Sequence, residues 1–169
     1  MSGPEIINAL IAFNADDILT DYPPQGTTPE NPKTVSADDK YIYMMVKQAN
    51  IIGSSGANLN LQAEVGDVIR WRETSFSFDA NYSVLLYKYV GTDDNLISPP
   101  HHLTPDSNLP YLTGQAGDPA FKSQTVTGHY WTADVLKKGR ENYHFSFEII
   151  NREGRALGYY SWDPALTIK

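Results

Sequence analysis

Apolar residues recur at every second position in several short segments of this chain, the period of a strand with one buried face. Over Ile7–Phe13, residues Ile7, Ala9, Ile11 and Phe13 share a side. Leu59, Leu61, Ala63 and Val65 do the same against Asn60, Gln62 and Glu64. In Asp67–Glu73, Ile69 and Trp71 point inward with Arg70 and Arg72 outward. In Tyr143–Ile149, Tyr143, Phe145, Phe147 and Ile149 oppose His144, Ser146 and Glu148. Tyr41–Lys47 and Tyr82–Val90 are more evenly apolar, which predicts strands covered on both faces or set at an interface. With Gln124–Trp131, Ala156–Trp162 and Ala165–Ile168, the pattern predicts eight or nine strands. The expected fold is all-β, a two-layer antiparallel β-sandwich with Ig-like or jelly-roll connections and little helix, as one domain over residues 1–169.

Two short helical turns are expected. One covers Asp16-Asp17-Ile18-Leu19 after the first strand. The other covers Thr132–Lys138, where Thr132 suits the N-cap, Lys137 and Lys138 suit the negative end, and Gly139 suits a left-handed stop. Leu136, Gly139 and Tyr143 have the character of a sandwich corner locked by a tyrosine, so Tyr143 is read as structural. Trp71 is read as core. Two long proline-bearing loops remain, Asp21–Asp39 and Asp93–Lys122, and loops of such length inside a domain are functional or packed as arms.

Composition narrows the function classes. The chain has 169 residues, no cysteine and a net charge of −7. Without cysteine there are no disulfides and no thiolate metal sites, which suits a reducing cytoplasm. The acidic balance argues against nucleic acid as a partner. The N-terminal Met-Ser-Gly-Pro-Glu lacks a basic region, and the apolar run after it is too short to span a bilayer. No signal peptide and no membrane insertion are therefore expected, and the expected location is the cytoplasm. Near the isoelectric point of 4.9 the self-repulsion vanishes, and self-association becomes easier.

From Ile7 to the end the chain resembles the bacterial inclusion body protein family, which includes PixA and the AidA-like proteins. The resemblance rests on Asp16-Asp17-Ile18-Leu19, Tyr41-Ile-Tyr-Met-Met-Val46, Gly66-Asp-Val-Ile-Arg-Trp-Arg-Glu-Thr-Ser75, Leu85-Leu-Tyr-Lys88, Tyr143-His-Phe-Ser-Phe147 and Gly158-Tyr-Tyr-Ser-Trp-Asp-Pro164. It implies a small bacterial protein that accumulates as cytoplasmic inclusions, and it implies no reaction and no catalytic residues. A storage or assembly role follows, most simply through a symmetric homodimer.

The function expected from the residues themselves is carbohydrate binding by a lectin-like module, with storage or assembly without a specific ligand as the alternative. An aromatic ring beside a carboxylate or amide suits a sugar: the ring covers the apolar face, and the polar group takes the hydroxyls. Tyr130, Trp131, Trp162, Asp163 and Asn81 are the candidate sugar-binding residues, brought together at one end of the sandwich. The acidic clusters Asp16-Asp17-Asp21, Asp38-Asp39 and Asp93-Asp94-Asn95 have the oxygens calcium takes, with Asp16 and Asp17 the candidate ligands; the alternative is turn and cap chemistry. His101-His102, His129 and His144 lack zinc spacing and are expected to be exposed. No Gly-x-Ser-x-Gly, phosphate loop or EF-hand pattern is present, so no enzyme activity is expected.

Overall fold

Alternation becomes pleat in the computed structural model, which describes residues 3–92 and 95–169. The first half supplies β1 (Ile6–Phe13), α1 (Ala15–Asp21), β2 (Lys33–Thr34), β3 (Ile42–Met45), β4 (Ile51–Ile52), β5 (Asn60–Ala63) and β6 (Val68–Ser75). The second half begins with β7 (Tyr82–Val90), β8 (His101–Leu103), β9 (Asp106–Leu112), β10 (Phe121–Thr127) and β11 (Tyr130–Asp134). It closes with β12 (Gly139–Asn142), β13 (His144–Asn151), β14 (Ala156–Trp162) and β15 (Ala165–Ile168). The protein is all-β, with α1 as its α-helix among the described residues.

A five-stranded sheet in the order β3-β1-β6-β11-β8 packs on a four-stranded sheet in the order β2-β14-β13-β7. The layer between them is aromatic. Phe13 meets Phe147 at 4.5 Å between ring centroids, and Trp71 meets Phe145 edge-on at 5.6 Å. The indole N–H of Trp71 donates to the buried Tyr143 hydroxyl at 3.2 Å, so both polar groups are satisfied within the core. Tyr143 is thus structural, through this indole rather than through loop backbone. A further sheet, β12-β15-β5-β4, adds Leu61, Ala63, Leu166 and Ile168 to the same core. The sheets are mostly antiparallel, but β1 pairs with β6, β14 with β2 and β15 with β5 in parallel. Alternation fixes which face a side chain takes and is silent about the neighbour's direction.

Two expected elements are corrected. Gln124–Trp131 is not one strand: β10 ends at Thr127, Gly128-His129 turns, and β11 starts at Tyr130. Thr132–Lys138 is not a helix, because Thr132, Ala133 and Asp134 pair with Arg70, Ile69 and Val68 of β6. Trp131, Ala133 and Val135 fill inward positions, and that period-2 burial outweighs the local cap signals. The helix after β1 runs longer than the expected turn. Asn14 caps it by accepting from Asp17 N–H at 3.3 Å.

Trp162 is fully buried like Trp71, but its indole N–H has no hydrogen-bond partner. Trp71→Phe strands the buried Tyr143 hydroxyl, whereas Trp162→Phe removes a donor that is already unpaired. In urea unfolding Trp71→Phe is therefore expected to cost about 1–3 kcal/mol more than Trp162→Phe. Equal losses would show that the Trp71–Tyr143 bond contributes nothing net.

Candidate functional site

Between β8 and β11 the chain leaves the sandwich as an arm. β9 and β10 pair from Asp106↔Thr127 to Leu112↔Phe121 and join no other sheet. Their side chains are exposed on both faces, apart from Ser107 and Val126, which are half-buried. Thr125 and Thr127 hydroxyls donate across the ribbon to Asn108 Oδ1 at 2.8 Å and Asp106 Oδ1 at 2.7 Å. Pro110, Tyr111, Leu112, Pro119 and Phe121 line an apolar groove of about 400 Å³ at the tip. Leu112 is 74% exposed and Phe121 65%. A lone two-stranded ribbon is marginal in water, and an apolar patch left open at its end is the mark of an interaction surface.

A cleft of about 420 Å³ opens at the base of the arm, between the edge strand β7 and the β8–β11 side of the other sheet. Its walls include Leu86, Tyr87, His102, Thr127, His129 and Trp131. The clamp beneath it follows from edge-strand chemistry. Leu86 turns its N–H and C=O away from β13, and both need partners. Glu73 Oε1 accepts the Leu86 N–H at 3.2 Å, and Trp131 Nε1–H donates to the Leu86 carbonyl at 3.1 Å. Glu73 is buried and also bonded to His129 Nε2, while its Oε2 has no hydrogen-bond partner. The bond to Glu73 raises the His129 pKa above its ordinary value of 6.5, with burial opposing.

The expected sugar site is divided by this architecture. Tyr130 and Trp131 are neighbours on β11 and face opposite ways. Trp131 turns inward at 8% exposure, and Tyr130 lies on the outer face with the Arg70 guanidinium 4.9 Å from its ring. Trp162 must be corrected: it has no exposed face, stacking on Phe145 and meeting Phe13 edge-on, so no sugar ring can lie on it. Asp163 is exposed beside His144, 3.8 Å away. Trp162 pairs with Phe145 near the start of β13, whereas Asn81 precedes Tyr82, the partner of Asn151 at its end. Six residues of strand set them about 20 Å apart.

The acids are held in turns and caps. Asp16 and Asp17 sit in the first turn of α1, with Asp17 Oδ2 accepting from Asn14 Nδ2 at 2.9 Å. Asp39 accepts from Ala57 N–H at 2.8 Å, and Asp38 from Lys40 N–H at 2.8 Å. Asp93 and Asp94 lie outside the described residues. Among the described residues no three His, Asp or Glu side chains gather as a metal site would require. Expected to be exposed, His129 is instead half-buried against Glu73. The available signal was Glu73 itself, an acid on the inward register of Ile69 and Trp71. No described helix is long and apolar enough to cross a membrane.

A family model described as PixA, inclusion body protein, matches residues 5–168. Among solved structures the chain is similar to the crystal structure of an inclusion body protein (PixA) from Burkholderia cenocepacia J2315. The two share 18% identity with a TM-score of 0.81 over 99% of this chain and 98% of that one, a likeness of fold. The solution structure of Amebosin, at 7% identity over 82% of this chain and 98% of that one, has a TM-score of 0.30 and carries no argument. No curated protein matches the chain.

The His129–Glu73 pair gives stability a pH dependence of fixed sign. Because the folded state raises the His129 pKa, its contribution is full below about 6.5 and is lost as pH rises through the folded value. His129→Gln keeps a donor and removes the titration. Wild type is expected to exceed His129→Gln by about 1 kcal/mol at pH 5.5, the gap closing by pH 9 in urea titrations. A gap independent of pH would rule out a charged His129.

Proposed function

Because the chain belongs to the PixA inclusion body protein family, we propose that its function is self-association into dense assemblies, with the β9–β10 arm as principal contact. The observation that carries this reading is the arm itself, a ribbon exposed on both faces that ends in an apolar groove. Folding the sandwich needs no such extension, and a second copy would cover what water now meets. A homodimer is the smallest assembly of this kind, and cytoplasmic inclusions are the largest. The role requires no catalysis. The buried acids among the described residues hold the fold together, Asp67 at the Glu5 and Glu64 N–H groups, Glu73 at Leu86 and His129, Glu141 at the Tyr89 hydroxyl and Thr92 N–H.

Carbohydrate binding, with or without calcium, has less support, since its candidate residues face different ways and Trp162 is core. A glycan array with and without calcium measures it. Saturable binding that Trp131→Ala removes without lowering the melting temperature would move the reading to a lectin.

Assembly is expected to deepen as pH falls from 8 toward 4.9, where the net charge of −7 is neutralised. Leu112→Asp places a charge in the groove and should raise the concentration needed for assembly at least tenfold, about 1.4 kcal/mol. Sedimentation velocity over a concentration series checks both. A wild-type chain that stays monomeric throughout overturns the reading.

A further inference from the structure

The turn joining β6 to β7 places a phenylalanine where a fold has no use for one. Ala80 N–H bonds the Ser77 carbonyl at 3.0 Å, and the two residues between them are left-handed, Phe78 at φ 51° and Asp79 at φ 61°. Two successive positive φ values in a tight turn normally call for Asn or Gly, and a bulky residue there is strained. The strain is held in place. Ser75 Oγ donates to the Tyr82 carbonyl at 2.6 Å and accepts from Asp79 N–H at 3.1 Å. Ser77 Oγ donates to the same carbonyl at 3.0 Å and accepts from Tyr82 N–H at 3.2 Å. The product is a hydrogen-bonded loop that leaves Phe78 89% exposed. Backbone strain combined with an exposed ring costs the folded state twice, and a pre-set aromatic is what an interface anchor needs.

We propose that Phe78 of one copy seats in the arm-tip groove of a second copy, a contact that rests on the assembly reading above. The groove is lined by Pro110, Tyr111, Leu112, Pro119 and Phe121, with no charge among them, and its volume of about 400 Å³ has room for a phenyl ring. Anchor and groove lie on different parts of one chain. Their union closes as a two-fold dimer where both contacts form reciprocally, and otherwise runs head-to-tail and propagates. A phenylalanine side chain brings roughly 150–250 Å² to such a contact, far below the ~1,200 Å² of a stable pair. One contact is weak, so assembly through it is reversible and needs high concentration.

Four chains test the pairing by sedimentation: wild type, Phe78→Asn, Leu112→Asp and, as a second groove variant, Phe121→Ser. Asn tolerates the left-handed turn, so Phe78→Asn should melt no lower than wild type while requiring at least tenfold more protein to assemble. An equimolar mixture of Phe78→Asn and Leu112→Asp retains one anchor and one groove, and should form heterodimers that grow no further. Phe78→Asn assembling like wild type overturns the proposal and leaves the arm reading standing. Variants that fail alone and also fail to pair when mixed show that Phe78 and the groove meet other partners, which overturns it too. A monomeric wild type removes both readings.

Discussion

Phe145 sits where the two main sheets must agree. Its ring lies within about 6 Å of five others, those of Trp71, Tyr89, Trp131, Tyr143 and Trp162, drawn from both layers. Sheets packed face to face stand about 10 Å apart, and large rings fill that gap with few side chains. Close packing also limits adjustment, because a ring cannot shift without displacing several neighbours. The position of β11 against β6, and so the point where the arm departs, follows from this one layer.

Buried polar groups in the layer are mostly paired, with the Trp162 indole N–H and Glu73 Oε2 as exceptions. Trp71 and Tyr143 satisfy each other, and Trp131 and Glu73 serve the free edge of β7 at Leu86. The second arrangement is sheet pairing carried out by side chains: where a strand would normally lie beside β7, an indole and a carboxylate take its place. The cleft follows from that substitution, since two side chains occupy less room than a strand.

Much of the scaffold was legible in the sequence because burial leaves a period-2 trace. The inward positions of β1, β6 and β13 could be read from Ile7, Ile69, Trp71 and Phe145. Strand direction could not, so the parallel pairs of β1 with β6 and β5 with β15 were invisible. Thr132 and Gly139 mimicked helix ends, but Thr132 lies in the ladder to β6 and Gly139 pairs with Ile168 of β15. The candidate sites were harder to see. Trp162-Asp163-Pro164 has the look of a ligand corner, yet an inward register at the end of β14 places its indole in the core. Most of the arm lay in the long proline-bearing loop Asp93–Lys122, with Gln124–Thr127 inside an expected strand, because both faces of the ribbon are polar enough to blur the strand period. Phe78 gave no signal, since the left-handed turn that lifts it clear is a property of the backbone.

Pro110 sits within β9, opposite Ser123. A proline has no N–H, and within a strand it is tolerated only where that group would face outward from the ladder. The outer edge of β9 is therefore interrupted midway, and a strand from another molecule cannot zip along that side, while the outer edge of β10 carries no proline. A contact made along the β9 side must rest on side-chain packing rather than on a shared backbone ladder. Side-chain packing can be undone without breaking a hydrogen-bond ladder, whereas a continuous shared ladder is the route to cross-β fibre.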